Sequence, residues 1–193
     1  MIFIEGLLRA INQLPLAIKV LMAVVVVAAA ISDVRTRRVP NWLTFSGVVV
    51  AIALNSFLFE LPGLWFALQG LGLAFGVYFI LYLLRAMGAG DVKLMAFLGA
   101  AAGWKDWLFG IFPVTAILGG VVGLLLVVTK GRLRKTFQNI GGMFMSFRLG
   151  HAPYQDNPEL DVRSGLGMRL PHAVMIACGA LGLLAAAAMW APR

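Results

Sequence analysis

Asp33 and Asp91 are the side chains of this sequence best placed to do chemistry. Asp33 falls in Ser32-Asp33-Val34-Arg35-Thr36-Arg37-Arg38-Val39-Pro40-Asn41, directly after an apolar run. Asp91 falls in Gly88-Ala89-Gly90-Asp91-Val92-Lys93, directly before another. Ionisable groups at membrane segments are costly and mark functional sites. Two carboxylates are the minimum equipment for acid–base hydrolysis: one takes a proton from water, the other gives one to the scissile carbonyl. Each also has a plainer reading. Asp33, beside Arg35, Arg37 and Arg38, reads equally as a solvated counter-ion. Asp91 reads as a helix N-cap that accepts a backbone N–H and suits the helix dipole. Gly88 and Gly90 permit close backbone approach and unusual dihedral angles. Their spacing is too short for a dinucleotide fingerprint and lacks the Lys-Ser/Thr of a phosphate loop.

The elements that must position these acids are membrane helices. The 193 residues are 61% hydrophobic and 12% charged, where a soluble domain has about 25% charged; the mean hydropathy is +0.92. Backbone groups in lipid need internal partners, which leaves helices or a closed barrel, and long unbroken apolar runs exclude alternating barrel strands. Six apolar segments are read: Leu14–Ser32, Trp42–Phe59, Leu61–Leu84, Val92–Trp104, Trp107–Thr129 and Leu170–Ala191. The fourth is short for a span of about 20 residues and could be re-entrant.

Charge decides the topology. Arg35, Arg37 and Arg38 follow the first segment; Arg85 and Lys93 flank the loop after the third. Lys130, Arg132, Arg134 and Lys135 follow the fifth, and Arg148, Arg163 and Arg169 complete the fifth–sixth connection. If all six segments cross, these charges share one face, as cytoplasmic loops should. The predicted fold is therefore all-α: six transmembrane helices in one domain over 1–193, with both termini outside. Asp33 and Asp91, 58 positions apart, then meet the same cytoplasmic boundary.

Residues 1–13 read as a surface amphipathic segment. A signal peptide is the rival reading, since Ala28-Ala29-Ala30 is similar to a cleavage site, but the three arginines beyond favour a retained span. Residues 130–169 form a cytoplasmic loop. Within it Phe137, Ile140, Met143, Phe144 and Phe147 recur at helical spacing, which predicts an interfacial helix. Pro153, Asn157 and Pro158 predict an irregular remainder. Pro113 predicts a kink in the fifth span, and the five tryptophans fall near span ends as interfacial anchors do. Cys178 is the sole cysteine, and His151 and His172 are isolated, so no metal site is expected. The net charge of +8 sits in loops, with no basic motif interleaved with aromatics, so nucleic acid is not an expected partner.

The two aspartate segments together resemble the prepilin peptidase family of polytopic aspartic proteases. Gly88-Ala89-Gly90-Asp91 matches the family's Gly-x-Gly-Asp. Asp33 followed by Arg37-Arg38-Val39-Pro40-Asn41-Trp42-Leu43 matches its first motif. Pro171-His172-Ala173 stands where the family commonly has Pro-Tyr-Gly. The resemblance implies that Asp33 and Asp91 are the catalytic pair, with no metal or cofactor. It implies that the substrate is a type IV prepilin cut after a glycine, between a basic leader and an apolar helix, at the inner membrane. Gly88, Gly90, Lys93, Pro40 and Asn41 are expected to shape the site or touch substrate. No cysteine tetrad or room for a cysteine-rich insertion is present, which points to a short form similar to tight-adherence (Flp) pilus peptidases, without N-methyltransferase activity. The pilus assembly machinery and membrane lipid are further expected partners.

Three rival readings stand beside this one. A presenilin-like enzyme shares Gly-x-Gly-Asp but would carry Tyr-Asp and Pro-Ala-Leu, whereas here Ser32 precedes Asp33 and no Pro-Ala-Leu occurs. A transporter or proton relay would need its acids deep in the membrane rather than at span ends. A non-catalytic assembly scaffold would tolerate loss of either aspartate.

Overall fold

A computed structural model describes residues 2–85, 87–131, 133–148, 150 and 172–190, and the described residues are helical with short connections. The elements are α1 (Ile2–Gln13), α2 (Leu16–Thr36), α3 (Asn41–Leu83), α4 (Ala89–Asp106), a π-helical turn (Trp107–Ile111), α5 (Phe112–Thr129), α6 (Leu133–Arg148) and α7 (His172–Met189). Four stretches are long and apolar enough to cross a membrane: Leu16–Thr36, Asn41–Leu83, Leu108–Thr129 and His172–Met189. Large apolar side chains on them face outward, among them Leu16, Trp42, Phe57 and Leu124. Such a surface suits lipid and not water.

α2 buries Ile18, Met22, Val25, Val26 and Ala29, one stripe at spacings of three and four. Its apolar sequence stops at Ile31, yet the helix runs on to Thr36, so Asp33 lies inside the last turn and not after the helix. Arg37 adopts a left-handed conformation (φ 53°, ψ 32°) and donates its N–H to the Asp33 carbonyl at 2.8 Å, closing the helix.

α3 is 43 residues long, about 65 Å if straight and twice the hydrocarbon thickness. It is broken at Glu60 (φ 55°, ψ −141°), with Pro62 just beyond, where a missing N–H costs little. The arms fold back on each other: a Cβ on Gly63 would lie 2.0 Å from the Asn55 carbonyl oxygen, eight residues earlier. The expected second and third segments are these arms.

α4 fills the hairpin and is the most buried helix described, closed from solvent at nearly every position from Asp91 to Gly103. Gly63, Ala67, Gly70 and Ala74 line the second arm at spacings of four, three and four and are buried. Small residues in such a row let backbones touch. The Gly70 and Gly99 backbones do so, and Phe97 packs on Gly47 of the first arm. α4 breaks at Gly103 (φ 77°, ψ 170°). There Asn55, fully buried, donates Nδ2 to the carbonyls of Ala100 at 3.2 Å and Ala101 at 3.4 Å, while its Oδ1 has no partner among the described residues. A hydrogen-bond donor at a helix break inside an apolar bundle covers carbonyls that lipid cannot satisfy.

The Pro113 region behaves as a proline demands. The widened turn Trp107–Ile111 lies immediately before it, where the ring would otherwise crowd the carbonyl of residue 109. α1 is helical as expected and packs Ile11 into the core, with Arg9 over the Trp190 ring at 5.6 Å. α6 contains the helix expected over 137–147. The side chains of Phe137, Ile140, Met143, Phe144 and Phe147, and the segment holding Pro153, Asn157 and Pro158, lie outside the described residues, as do His151 and Pro171.

Candidate active site

The ends of α2, α4 and α7 and the start of α3 meet at one corner of the bundle, and the site is built from there. Asp33, half-buried in the last turn of α2, accepts a hydrogen bond at Oδ2 from the Ala173 backbone N–H at 3.3 Å. Ala173 is the second residue of α7, and the first N–H groups of a helix have no partner within it. Asp33 therefore pins α2 to α7.

Asp91 is the third residue of α4 and is only 9% exposed. The N-cap reading is corrected here. Gly88 holds the cap position, its carbonyl receiving the Val92 N–H at 3.4 Å. The Asp91 carboxylate reaches back to the Gly88 backbone, as the acidic member of a capping box does. Neither Gly88 nor Gly90 uses a positive φ. What the glycines supply is space: a Cβ on Gly90 would sit 3.2 Å from the Val39 Cβ, and one on Gly88 3.3 Å from Asp91 Oδ2.

The connection from α2 to α3 holds this corner together. The Ser32 hydroxyl donates to the Arg38 carbonyl at 2.8 Å, and the Thr36 hydroxyl contacts both that carbonyl and the Ser32 carbonyl. Val39 is thereby presented to Gly90. Pro40 (φ −62°, ψ 134°) directs the chain into α3. Asn41, the first residue of α3, accepts at Oδ1 from Lys93 Nζ at 2.7 Å, tying α3 to α4 two residues past Asp91.

Electrostatics link the acids. Asp91 lies just ahead of the apolar segment Val92–Trp104. Its burial raises its carboxyl to about 6; the nearby His172 acts to lower it and the nearby Asp33 to raise it further. A buried carboxyl that keeps its proton towards neutral pH, beside a second and more accessible aspartate, is the arrangement in which one acid donates while the other accepts. Among the described residues no group of three His, Cys, Asp or Glu side chains converges as a metal would require.

All seven residues singled out in the sequence, Asp33, Asp91, Gly88, Gly90, Lys93, Pro40 and Asn41, lie at this corner. His172 and Ala173 join them without having been singled out as site residues. Their one signal was position: they follow Pro171 in the third segment that resembles the family.

The sequence profile of the type IV leader peptidase family matches residues 20–128, more than half of the chain and the part that holds both aspartates. The chain belongs to that family. Over 114 residues it is 33% identical to the prepilin leader peptidase/N-methyltransferase of Stutzerimonas stutzeri. That alignment takes in 56% of this chain and 38% of the relative, so the chain spans well under two thirds of the relative's length. No solved structure matched the chain.

Proposed function

We propose that this chain is an aspartic endopeptidase that removes the basic leader from type IV, Flp-like prepilins at the cytoplasmic face of the bacterial inner membrane, with Asp33 and Asp91 as its dyad. The observation that carries the reading is the meeting of the two acids at one helix corner, where each is anchored to a different helix start and Asp91 is biased by Asp33. The shared proton resides on Asp91, the buried member. Asp33 draws a proton from a water as it attacks the scissile carbonyl, while Asp91 donates to the carbonyl oxygen. The roles reverse when the leaving amine is protonated.

In the proposed topology the six crossings are α2, the two arms of α3, α4, the π turn with α5, and α7, with both termini outside. α6 lies in the cytoplasmic interface. This places Arg35, Arg37, Arg38 and Lys93 on the side of the dyad. A basic leader of the substrate would then lie on the same side as the scissile bond, with the apolar segment in lipid. The chain is proposed to cut without methylating the new N-terminus.

Co-expression with a Flp-like prepilin, followed by mass measurement of the substrate, tests this. The expected product lacks the leader and carries an unmodified N-terminus. Several correctly inserted prepilins left uncut would overturn the assignment. A methylated product would overturn the peptidase-only part.

A further inference from the structure

Three helices bring an ionisable side chain to the corner of the dyad, and the third is not an acid. His172 is the first residue of α7 and is half-buried. Its neighbour Ala173 gives its backbone N–H to Asp33 Oδ2 at 3.3 Å. That bond fixes the start of α7, and with it the main chain of His172, against α2. The imidazole is near enough to Asp91 to act on it more strongly than the Asp33 carboxylate does. His172 therefore touches both halves of the pair, through its chain neighbour on Asp33 and through its own charge on Asp91.

Packing alone gives little reason for a histidine at this position. The first turn of a helix carries the positive end of the dipole and favours acids over cations. Here two acids face it, Asp33 from α2 and Asp91 from α4. The buried Tyr78 of α3 is also within electrostatic range of Asp91. Arg35 on α2 and Lys130 beyond α5 are exposed, and Lys93 on α4 bonds Asn41. Arg9 of α1 lies at the far end of α7, over Trp190, and Lys105 and Asp106 close the far end of α4.

In the proposed cleavage Asp91 passes its proton to the scissile carbonyl oxygen and becomes a carboxylate at a position only 9% exposed. A neighbouring imidazolium keeps its own proton through this step and offsets the charge that Asp91 acquires. It contributes more after the transfer than before it, which is the condition for lowering a barrier.

We infer that His172 is a positioning residue of the dyad, held in place by the Ala173–Asp33 bond so that its cation stands against Asp91 as that carboxyl gives up its proton. The inference rests on the leader-peptidase reading and adds a third group to its site.

Two substitutions separate charge from shape. His172→Gln keeps a hydrogen-bonding side chain without the charge, and His172→Lys keeps the charge. With a prepilin substrate, His172→Gln should lower kcat about tenfold with little change in KM. It should also move the alkaline midpoint of kcat/KM upward by about half a pH unit or more, because a cation that favoured the carboxylate is gone. His172→Lys should bring the midpoint back to the wild-type value or below it. A residue that only packs would lower the melting temperature of both variants and leave the midpoint in place. That result, or wild-type kinetics in His172→Gln, overturns the inference. A second measurement needs no substrate. The side-chain carboxyl carbon of Asp91, assigned by its loss in Asp91→Asn, should titrate at higher pH in His172→Gln than in wild type by NMR in the same detergent. An unmoved titration overturns the inference while the leader-peptidase reading stands. If wild type cleaves no prepilin although the carboxyl carbon does respond to His172, the leader-peptidase reading falls, and the role of His172 in cleavage with it.

Discussion

Replacing Gly70 by alanine tests the seam that holds α4, and with it Asp91, against α3. A Cβ at Gly70 would lie 2.0 Å from the Gly99 carbonyl oxygen, where ordinary contact begins at 3.4 Å; the reciprocal Cβ on Gly99 would lie 2.3 Å from the Gly70 oxygen. Backbone stands on both sides, so no rotamer change relieves the clash, and the helices must part by the difference, about 1.4 Å. Overpacking costs about 1–3 kcal/mol, with a rigid obstacle at the upper end. Removing a helical glycine returns about 0.5–1 kcal/mol. The net loss is about 1–2 kcal/mol. Gly72 and Gly76, on the same arm, would meet nothing within 4 Å, so alanine there keeps only the gain. Gly70→Ala should therefore unfold roughly 4–10 °C below Gly72→Ala in the same detergent, from about 2–4 °C per kcal/mol in a chain of this size. A misplacement of about 1 Å at reacting groups costs around a hundredfold in rate. Part of the displacement reaches Asp91 along α4, so leader cleavage should fall at least about tenfold in Gly70→Ala and stay at the wild-type level in Gly72→Ala. Tryptophan fluorescence melts and a substrate-mass assay measure both. Equal melting and equal cleavage in the two variants would refute the seam.

Two further outcomes follow from the geometry. Asn55→Leu strips the donor from the Ala100 and Ala101 carbonyls and should cost about 1–3 kcal/mol of stability, read as a lower melting temperature, while cleavage persists because the break at Gly103 is remote from Asp91. Since burial raises Asp91 to about 6, the proposed dyad would keep its shared proton up to that pH. Deprotonation above it removes the acid, so kcat/KM should fall on the alkaline side with a midpoint near 6; a midpoint at the ordinary aspartate value, near 4, would contradict this. The same raised value means that stability present at low pH is lost as pH rises from about 4 through 6, measurable as a falling melting temperature.

Much of the site was legible because its chemistry is concentrated in short segments. Asp33 and Asp91 stand out as acids at the ends of apolar runs, and the basic residues around them pointed to one shared face, in keeping with their meeting at one corner of the bundle. The helix breaks were only half legible. The break at Glu60 was legible as the gap between the segments ending at Phe59 and beginning at Leu61, and Pro113 marked a kink, but the π-helical turn before Pro113 depends on how neighbouring helices pack, which local sequence does not state. Asp91 looked like an N-cap because Asp is a good one; Gly88 takes that place because α4 starts three residues earlier than an Asp91 cap would have it, letting the carboxylate reach back. Asn55 gave no signal at all, since a single amide in an apolar run acquires its role only when α4 breaks beside it. His172 and Ala173 were visible as a family segment. Their arrival at Asp33 and Asp91 required α7 to dock against α2 across 140 positions.

The most direct test of the central claim is the cleavage rate of a Flp-like prepilin by purified wild type, Asp33→Asn and Asp91→Asn, each with its melting temperature in the same detergent. Each substitution is expected to lower kcat/KM by about a thousandfold or more, with all three proteins folded. Substantial cleavage by either folded variant would contradict the dyad.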